Sequence, residues 1–586
     1  MQRPLARLAL AAALACAPHS VPVDVAHEEA QGAHIEALLS GAPGRLVLGE
    51  PLREREALAR VYAARGYQPA WLGAKHDDRG SALLEALRSA SAHGLPPEPY
   101  HTDALAAHLW RAGGGSSAEG LAALDLLLSD AFLHLARHLA EGAVDPRTLH
   151  PRYRRGEPPP DAVDVLSEAL RSGAVAEALE GLAPPHPEYG GLRSALARLR
   201  SAAAAGGWPG VPAGPDVEPG ARDDRIPALR ARLAWPAAPA PPAGGDPLRL
   251  DAPLADALRA FQQRHGLAPD GILGPRSSAE LAATVAERVD QVRANLERWR
   301  WLPRDFGSRH VRVNAAGFVL QAFDAGRPLL DMRVVVGCTG WETPLLHGAV
   351  THLVLNPAWD VPRSIAVREM LPRARREPGY FAAQGLQVLA DEGDGAPRRA
   401  VDPASVDWSA VSAERFPYHL RQPPGPRNPL GRIKFLFPNP FGVYLHGTPG
   451  RAALERPVRT LSHGCVRVED EIALGVFALA PDPAWTRERL LEALETAHER
   501  RLALPEPLDV HILYLTAGAE EDGTPTFTED PYGWDPPLVA ALEPHDPGRS
   551  GDGHTPCMPF GAGRRACDPR PHPRYRRKAA CSPSFA

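Results

Sequence analysis

Lysine is nearly missing from this chain: of its 65 basic side chains only Lys75, Lys434 and Lys578 are lysines. Beside so much alanine and 64 prolines, that bias reads as codon usage and not as function. Cysteine is scarce too, with six at positions 16, 338, 465, 557, 567 and 581, which excludes a disulfide-rich scaffold. Neither sign of charge dominates, since 65 basic side chains meet 70 acidic ones for a formal charge of -5. There is no basic excess for a nucleic-acid partner and no acidic excess for a disordered chain. Past the first twenty residues, no apolar run is long enough to span a bilayer.

What is present comes in segments. At 586 residues the chain exceeds a single core, and three or four units are expected. The start "MQRPLARLALAAALACAPHS" has Arg3 and Arg7 ahead of an apolar run and small residues at 13–17. It reads as a signal peptide over 1–17, so the protein is expected to be exported to the periplasm or cell envelope. Cys16 leaves a lipid anchor open, although Leu14 sits one place nearer to it than lipidation prefers. A helical scaffold is expected over 27–200, with Leu58, Val61 and Tyr62 on one stripe and Leu121, Leu124, Leu128, Leu135 and Leu139 on another. The Gly-, Pro- and Ala-rich stretch beginning "PHPEYGGLRSALARLRSAAAAGG" reads as linker, with its boundary set at 201–222. From 309 the period becomes two, as in "HVRVNAAGFVLQAFDAG", with hairpin signals between the runs. A mostly-β domain over 308–517 is expected, with an irregular insertion at 363–430 of the kind that forms lids. The tail 546–586 has too few aliphatic residues to bury a core and is expected to be disordered.

The stretch "YLHGTPGRAALERPVRTLSHGCVRVED", from Tyr444 to Asp470, concentrates the chemistry. Three readings of Cys465 are open. It could be a small buried residue. It could be a zinc ligand with His446 and His463, although no H-E-x-x-H helix or second cysteine pair supports a metal site. Or it could be a nucleophile, which needs a base, a group to orient that base, and donors for an oxyanion. His446 at the end of a strand would serve as base, and Ser462-His463-Gly464-Cys465 offers successive backbone N–H groups. A Cys338–Cys465 bridge is also left open.

Two resemblances sharpen these readings. "FQ…GL…DG…G" from Phe261 to Gly274, with Ser277 in place of the usual threonine, resembles a small three-helix peptidoglycan-binding domain, here 223–286. "HGT…SHGCVRVED", with "RVVVG…TP", "NPAWDVPRSI" and "KFLFPNPFGVYLHGTP", resembles the YkuD-type L,D-transpeptidase catalytic domain. The whole is similar to that family's large, YcbB-like branch. Cys338 departs from its pattern, where a basic or polar residue is expected.

The resemblance implies Cys465 as nucleophile, His446 as base, the Gly447 carbonyl as orienting group, and His463 and Gly464 as shapers of the oxyanion turn. Ser462, Arg467, Tyr444, Thr448 and Trp359 are implied as cleft residues. It implies no cofactor or metal, and tetrapeptide stems as both donor and acceptor, joined 3→3 with loss of D-Ala. Carbapenem β-lactams would acylate the same thiol, and an outer-membrane lipoprotein is a further candidate acceptor. An L,D-carboxypeptidase or hydrolase using water, and a non-catalytic wall-binding scaffold, remain alternatives.

Overall fold

The computed structural model describes residues 25–42, 44–72, 78–112, 117–235, 246–390 and 398–543. The expected signal peptide with Cys16, and the 546–586 tail with Cys557, Cys567 and Cys581, lie outside the described residues. The chain forms two compact units.

The first unit takes the residues up to 89, 97–137 and 160–180. It is helical, apart from a minimal hairpin of Leu46–Val47 and Glu50–Pro51. Helix Arg55–Ala64 buries Leu58, Val61 and Tyr62, the stripe that the spacing marks. Its centre holds a carboxylate: fully buried Asp125 accepts the amides of Ala70, Trp71 and Leu72 at 2.8–2.9 Å and the Tyr62 hydroxyl at 2.7 Å. The segment 68–72 is not helical, so its N–H groups need acceptors from elsewhere, and Asp125 supplies them.

The second unit takes 90–96, 138–159 and the chain from 181 onward. Its beginning corrects the linker expectation, because Pro187–Ala204 is a helix that buries Tyr189, Leu192, Leu196 and Leu199. The Gly190-Gly191 pair costs roughly 1 kcal/mol per glycine in helix propensity, and burial of that apolar stripe outweighs it.

The sequence pattern marks no element between 287 and 307, yet Val285–Trp301 is a 17-residue helix. Thr284 and Glu287 close its N-terminus in a reciprocal capping box. Its buried residues mix apolar Val292, Leu296, Trp299 and Trp301 with ionic ones. Glu297 and Arg300 pair in full burial, Glu297 accepts the Val144 amide at 2.8 Å, and Arg300 reaches the Tyr189 hydroxyl at 3.1 Å. Gly142 closes the preceding helix at φ +98, and a Cβ there would lie 2.5 Å from the Glu297 carboxylate.

The three-helix module has its own core, including Ile226, Leu229, Leu254, Leu258, Phe261 and Leu273. The Phe-Gln and Asp-Gly signals prove architectural. Gln262 reaches the Asp270 carboxylate at 2.8 Å and the Ile272 carbonyl at 3.0 Å, and accepts the Gly271 amide at 2.8 Å.

The mostly-β part is a sheet that closes on itself. Around it run Arg327–Gly337, Val466–Val468, Leu445–His446, Ile433–Leu436, Leu346–Leu355, Arg500–Leu513, Arg309–Asn314 and Val319–Asp324, which pairs back to the first. Thr460–Ser462 adds to Arg327–Gly337 in parallel. Closure leaves those eight strands without a free edge. The core includes Val334, Val336, Leu353, Ile433, Phe435, Leu445, Val466 and Val510. The "DAG" signal is a two-residue hairpin turn, with Ala325 at φ +48 and Gly326 at φ +75.

The insertion is more ordered than its pattern suggests. It has a four-stranded sheet and a separate core that includes Trp359, Met370, Phe381, Trp408 and Leu420. The "SIAVREMLPRAR" helix runs through a π-helical turn at Ala366–Met370. Pro372 has no N–H to return along the helix there.

Glu297→Ala removes the partner of a buried arginine and the acceptor of the Val144 amide. It should destabilise the second unit by about 3–5 kcal/mol, read as a lowered denaturant midpoint, and an unmoved midpoint would contradict this assignment.

Candidate active site

The site is built by strand register. Leu445–His446 pairs in parallel with Val466–Val468, matching Leu445 to Val466 and His446 to Arg467. It pairs antiparallel with Ile433–Leu436, matching His446 to Lys434. Leu445, Val466, Ile433 and Phe435 turn into the core. Alternation therefore sends Tyr444, His446, Cys465, Arg467 and Lys434 to the opposite face, together.

His446 is buried, and its Nδ1–H donates to the Gly447 carbonyl at 2.7 Å. A carbonyl can only accept, so this bond fixes the tautomer and leaves Nε2 with its lone pair. Burial first, then Arg467 and Lys434, push the imidazole pKa down to about 3, so the ring is neutral at neutral pH. A Cβ at Gly447 would lie 2.6 Å from the Glu471 carboxylate, so a larger residue there would have to displace that side chain.

Cys465 is a free thiol, so the bridge to Cys338 that the sequence leaves open is not formed. Burial pushes its pKa up, while the Tyr444 backbone amide, Lys434 and Arg467 pull against that. The resting pair is thus a neutral thiol and a neutral imidazole. Sγ lies 3.9 Å from the Gly442 carbonyl, too long for more than a weak contact.

The turn before Cys465 is held from several sides. Ser462 is buried, donates to the Cys465 carbonyl at 2.5 Å and accepts the Gly464 amide at 3.2 Å. Gly464 takes φ +103, and its carbonyl accepts the Thr343 hydroxyl at 2.8 Å. The Thr343 oxygen also accepts the Gly337 amide at 2.9 Å, and Tyr532 donates to the Gly337 carbonyl at 2.8 Å. His463 points elsewhere: its Nε2–H donates to the Glu369 carboxylate of the insertion, and its ring meets Trp341 edge-on at 5.3 Å.

The remaining expected residues divide. Tyr444 lies on the site face with Lys434 Nζ 3.8 Å above its ring. Arg467 lies there as well, and among the described residues no ion pair holds it. Thr448 is buried and accepts the Gly450 amide at 3.2 Å, shaping the loop after the strand. Trp359 sits in the insertion's own core, as a packing residue does. His446, His463 and Cys465 gather no metal site, and none of three or more ligands occurs among the described residues.

Sequence reasoning missed Lys434, Thr343, Glu369 and Tyr532. Two of them had a signal: Lys434 is a rare lysine between apolar residues in "RIKFLF", and Thr343 belongs to the Thr-Pro of "RVVVG…TP". The others reach the site across long sequence separations.

An unfolded histidine takes up a proton near pH 6.5, whereas folded His446 does so only near pH 3. Between those values the unfolded chain binds the extra proton, so stability falls as pH falls. His150 and His511, held at about 4 and about 3 by burial, add to the same slope. His446→Asn should flatten the loss between pH 6 and 4 by about 1.4 kcal/mol per pH unit, measured by denaturation at each pH; an unchanged slope would contradict the assignment.

Known proteins match several stretches of this chain. A family model described as the L,D-transpeptidase catalytic domain, YkuD, matches residues 308–490. A Scaffold domain model matches 56–196, and one described as "Putative peptidoglycan binding domain" matches 243–281. A protein of Haemophilus influenzae named "Putative L,D-transpeptidase" is 33% identical over 241 residues, covering 41% of this chain and 47% of that protein. The match therefore spans about half the length of that curated relative. The L,D-transpeptidase structure from Xylanimonas cellulosilytica is 15% identical, covering 51% of this chain and 98% of that one at a TM-score of 0.16. The one from Stackebrandtia nassauensis is 13% identical, covering 52% and 96% at 0.19. The two structural scores are too low to add to the fold described above. By the sequence matches, residues 308–490 carry a YkuD-type L,D-transpeptidase catalytic domain and residues 243–281 a peptidoglycan-binding domain.

Proposed function

We propose that the protein forms 3→3 peptidoglycan cross-links through a thioester on Cys465. The observation that carries this reading is the free Cys465 thiol on one sheet face with His446, whose Nδ1–H is tied to Gly447 and whose Nε2 is bare.

In the first step Cys465 attacks the carbonyl of the third residue of a tetrapeptide stem as its proton passes to His446 Nε2. The carbonyl–nitrogen bond to D-Ala then breaks, and His446 returns the proton to the departing amine. In the second step the side-chain amine of a second stem's diamino acid attacks the thioester, gives up a proton through His446, and releases the thiol. No step uses a cofactor. A neutral resting pair places the proton transfer within the attack itself, as general base catalysis. The Arg467 charge on that face suits a substrate rich in carboxylates.

A carbapenem presents its lactam carbonyl to the same thiol. The domain content favours the cell envelope, and no helix among the described residues is long and apolar enough to cross a membrane. The acceptor is a second stem, with an outer-membrane lipoprotein as the other candidate. The His463–Glu369 bond supports a capping role for the insertion, docking it on the turn that carries the nucleophile.

The test is mass spectrometry of the protein incubated with a disaccharide-tetrapeptide, beside Cys465→Ala. A dimer lacking one D-Ala, absent from the variant, is expected; tripeptide alone would replace this reading with the carboxypeptidase, and no product with the thiol free would remove it. If the insertion excludes water, Glu369→Ala should raise the tripeptide-to-dimer ratio several-fold, and an unchanged ratio would sink the capping role.

A further inference from the structure

Lys434 stands out by position. Its neighbours Ile433 and Phe435 are in the core, and it projects from the same face as the thiol, directly across from His446 in the strand pairing. Its ammonium is half-buried, at a desolvation cost that also pulls its pKa down. A half-buried ammonium ordinarily takes a carboxylate partner, yet among the described residues no carboxylate bonds to it. Asp360 and Glu499 act on it only through space. What holds it is the face of Tyr444, with Nζ 3.8 Å from the ring centre, a cation–π contact that leaves the charge free to act on a neighbour.

A purely structural side chain here would serve better as methionine or leucine, which would cover Tyr444 without burying a charge. The neighbours that face this ammonium are His446 on the adjacent strand, Tyr444, and the thiol, with Arg467 one strand further on. Of these only the thiol can become negative at moderate pH. The coupling is mutual: Cys465 is the first charge that favours ionised Lys434, and Lys434 is the first charge that favours ionised Cys465.

We propose that Lys434, braced on the Tyr444 ring beside His446, is the fixed counter-cation of the Cys465 thiolate. This rests on the reading of Cys465 as nucleophile. Lys434 touches no reacting bond and acts by its charge. It favours thiolate at the moment His446 takes the proton, and through the same charge keeps His446 neutral until then. Arg467 contributes the same sign from the opposite side of His446.

The test is the pH profile of Cys465 alkylation by iodoacetamide, read on the Cys465 peptide by mass spectrometry so that other cysteines do not contribute. Wild type, Lys434→Met and Lys434→Arg are compared. Loss of the charge should move the alkylation midpoint up by about one pH unit and slow alkylation at pH 7.5 about tenfold. Lys434→Arg should recover most of both. A midpoint unmoved in Lys434→Met, or a shift that arginine does not recover, would overturn the proposal. So would impaired acylation by tetrapeptide with an unmoved midpoint, which would make Lys434 a substrate-binding residue. Alkylation needs no stem peptide, so the transpeptidase reading can fail in the cross-linking assay while this result stands, and the reverse.

Discussion

The bond from His446 Nδ1–H to the carbonyl of the next residue is the contact on which the site depends. It costs the chain no extra side chain, since an imidazole that folds back on its own backbone needs no acidic partner to choose its tautomer. Glycine at 447 leaves room beside that bond for the Glu471 carboxylate, which a Cβ would have to displace. The bond needs the short strand to stay in register with both neighbours. A slip of one residue would send His446 into the core and Leu445 out of it. The closed sheet guards against that slip by pairing the two-residue strand on both sides.

Around that contact the charges lie mostly inside the fold. Two cations, Lys434 and Arg467, share the face with a neutral thiol and a neutral imidazole. Far from the site, the helix Val285–Trp301 turns Glu297 and Arg300 inward and satisfies them with backbone and a tyrosine. Asp125 does comparable work in the first unit by accepting the amides of an irregular segment. In the last two cases a buried charge is tolerated because several donors or acceptors converge on it, whereas Lys434 rests on the face of Tyr444.

Those buried charges also explain what could be read from the sequence. Stripes of leucine, alternating valines and glycine turns were legible, and with them the helical region, the three-helix module and the mostly-β domain. The Tyr444–Asp470 stretch was legible because its chemistry is local: His446 with Gly447, and Ser462 with the turn to Cys465, lie within a few residues of one another. Val285–Trp301 was not, although Val285, Val289, Val292, Leu296 and Trp299 recur at helical spacing and pack in one core, because arginines and glutamates crowd the positions between them. Pro187–Ala204 reads as linker because two glycines and an alanine run mask its five buried residues. Thr343, Glu369 and Tyr532 meet the site across 94 to 195 residues of chain. No spacing rule reaches that far. Lys434 was visible but set aside as composition, and only its place opposite His446 gives it meaning.

The account stands or falls on Cys465 carrying the acyl group. The most direct measurement is the intact mass of the protein, quenched in acid during turnover of a tetrapeptide stem, with the adduct located by peptide mapping. A tripeptide-sized adduct on Cys465, one D-Ala lighter than the donor, is expected during turnover and is lost once the donor is consumed. Turnover without any adduct on Cys465, or an unchanged rate in Cys465→Ala, would contradict it.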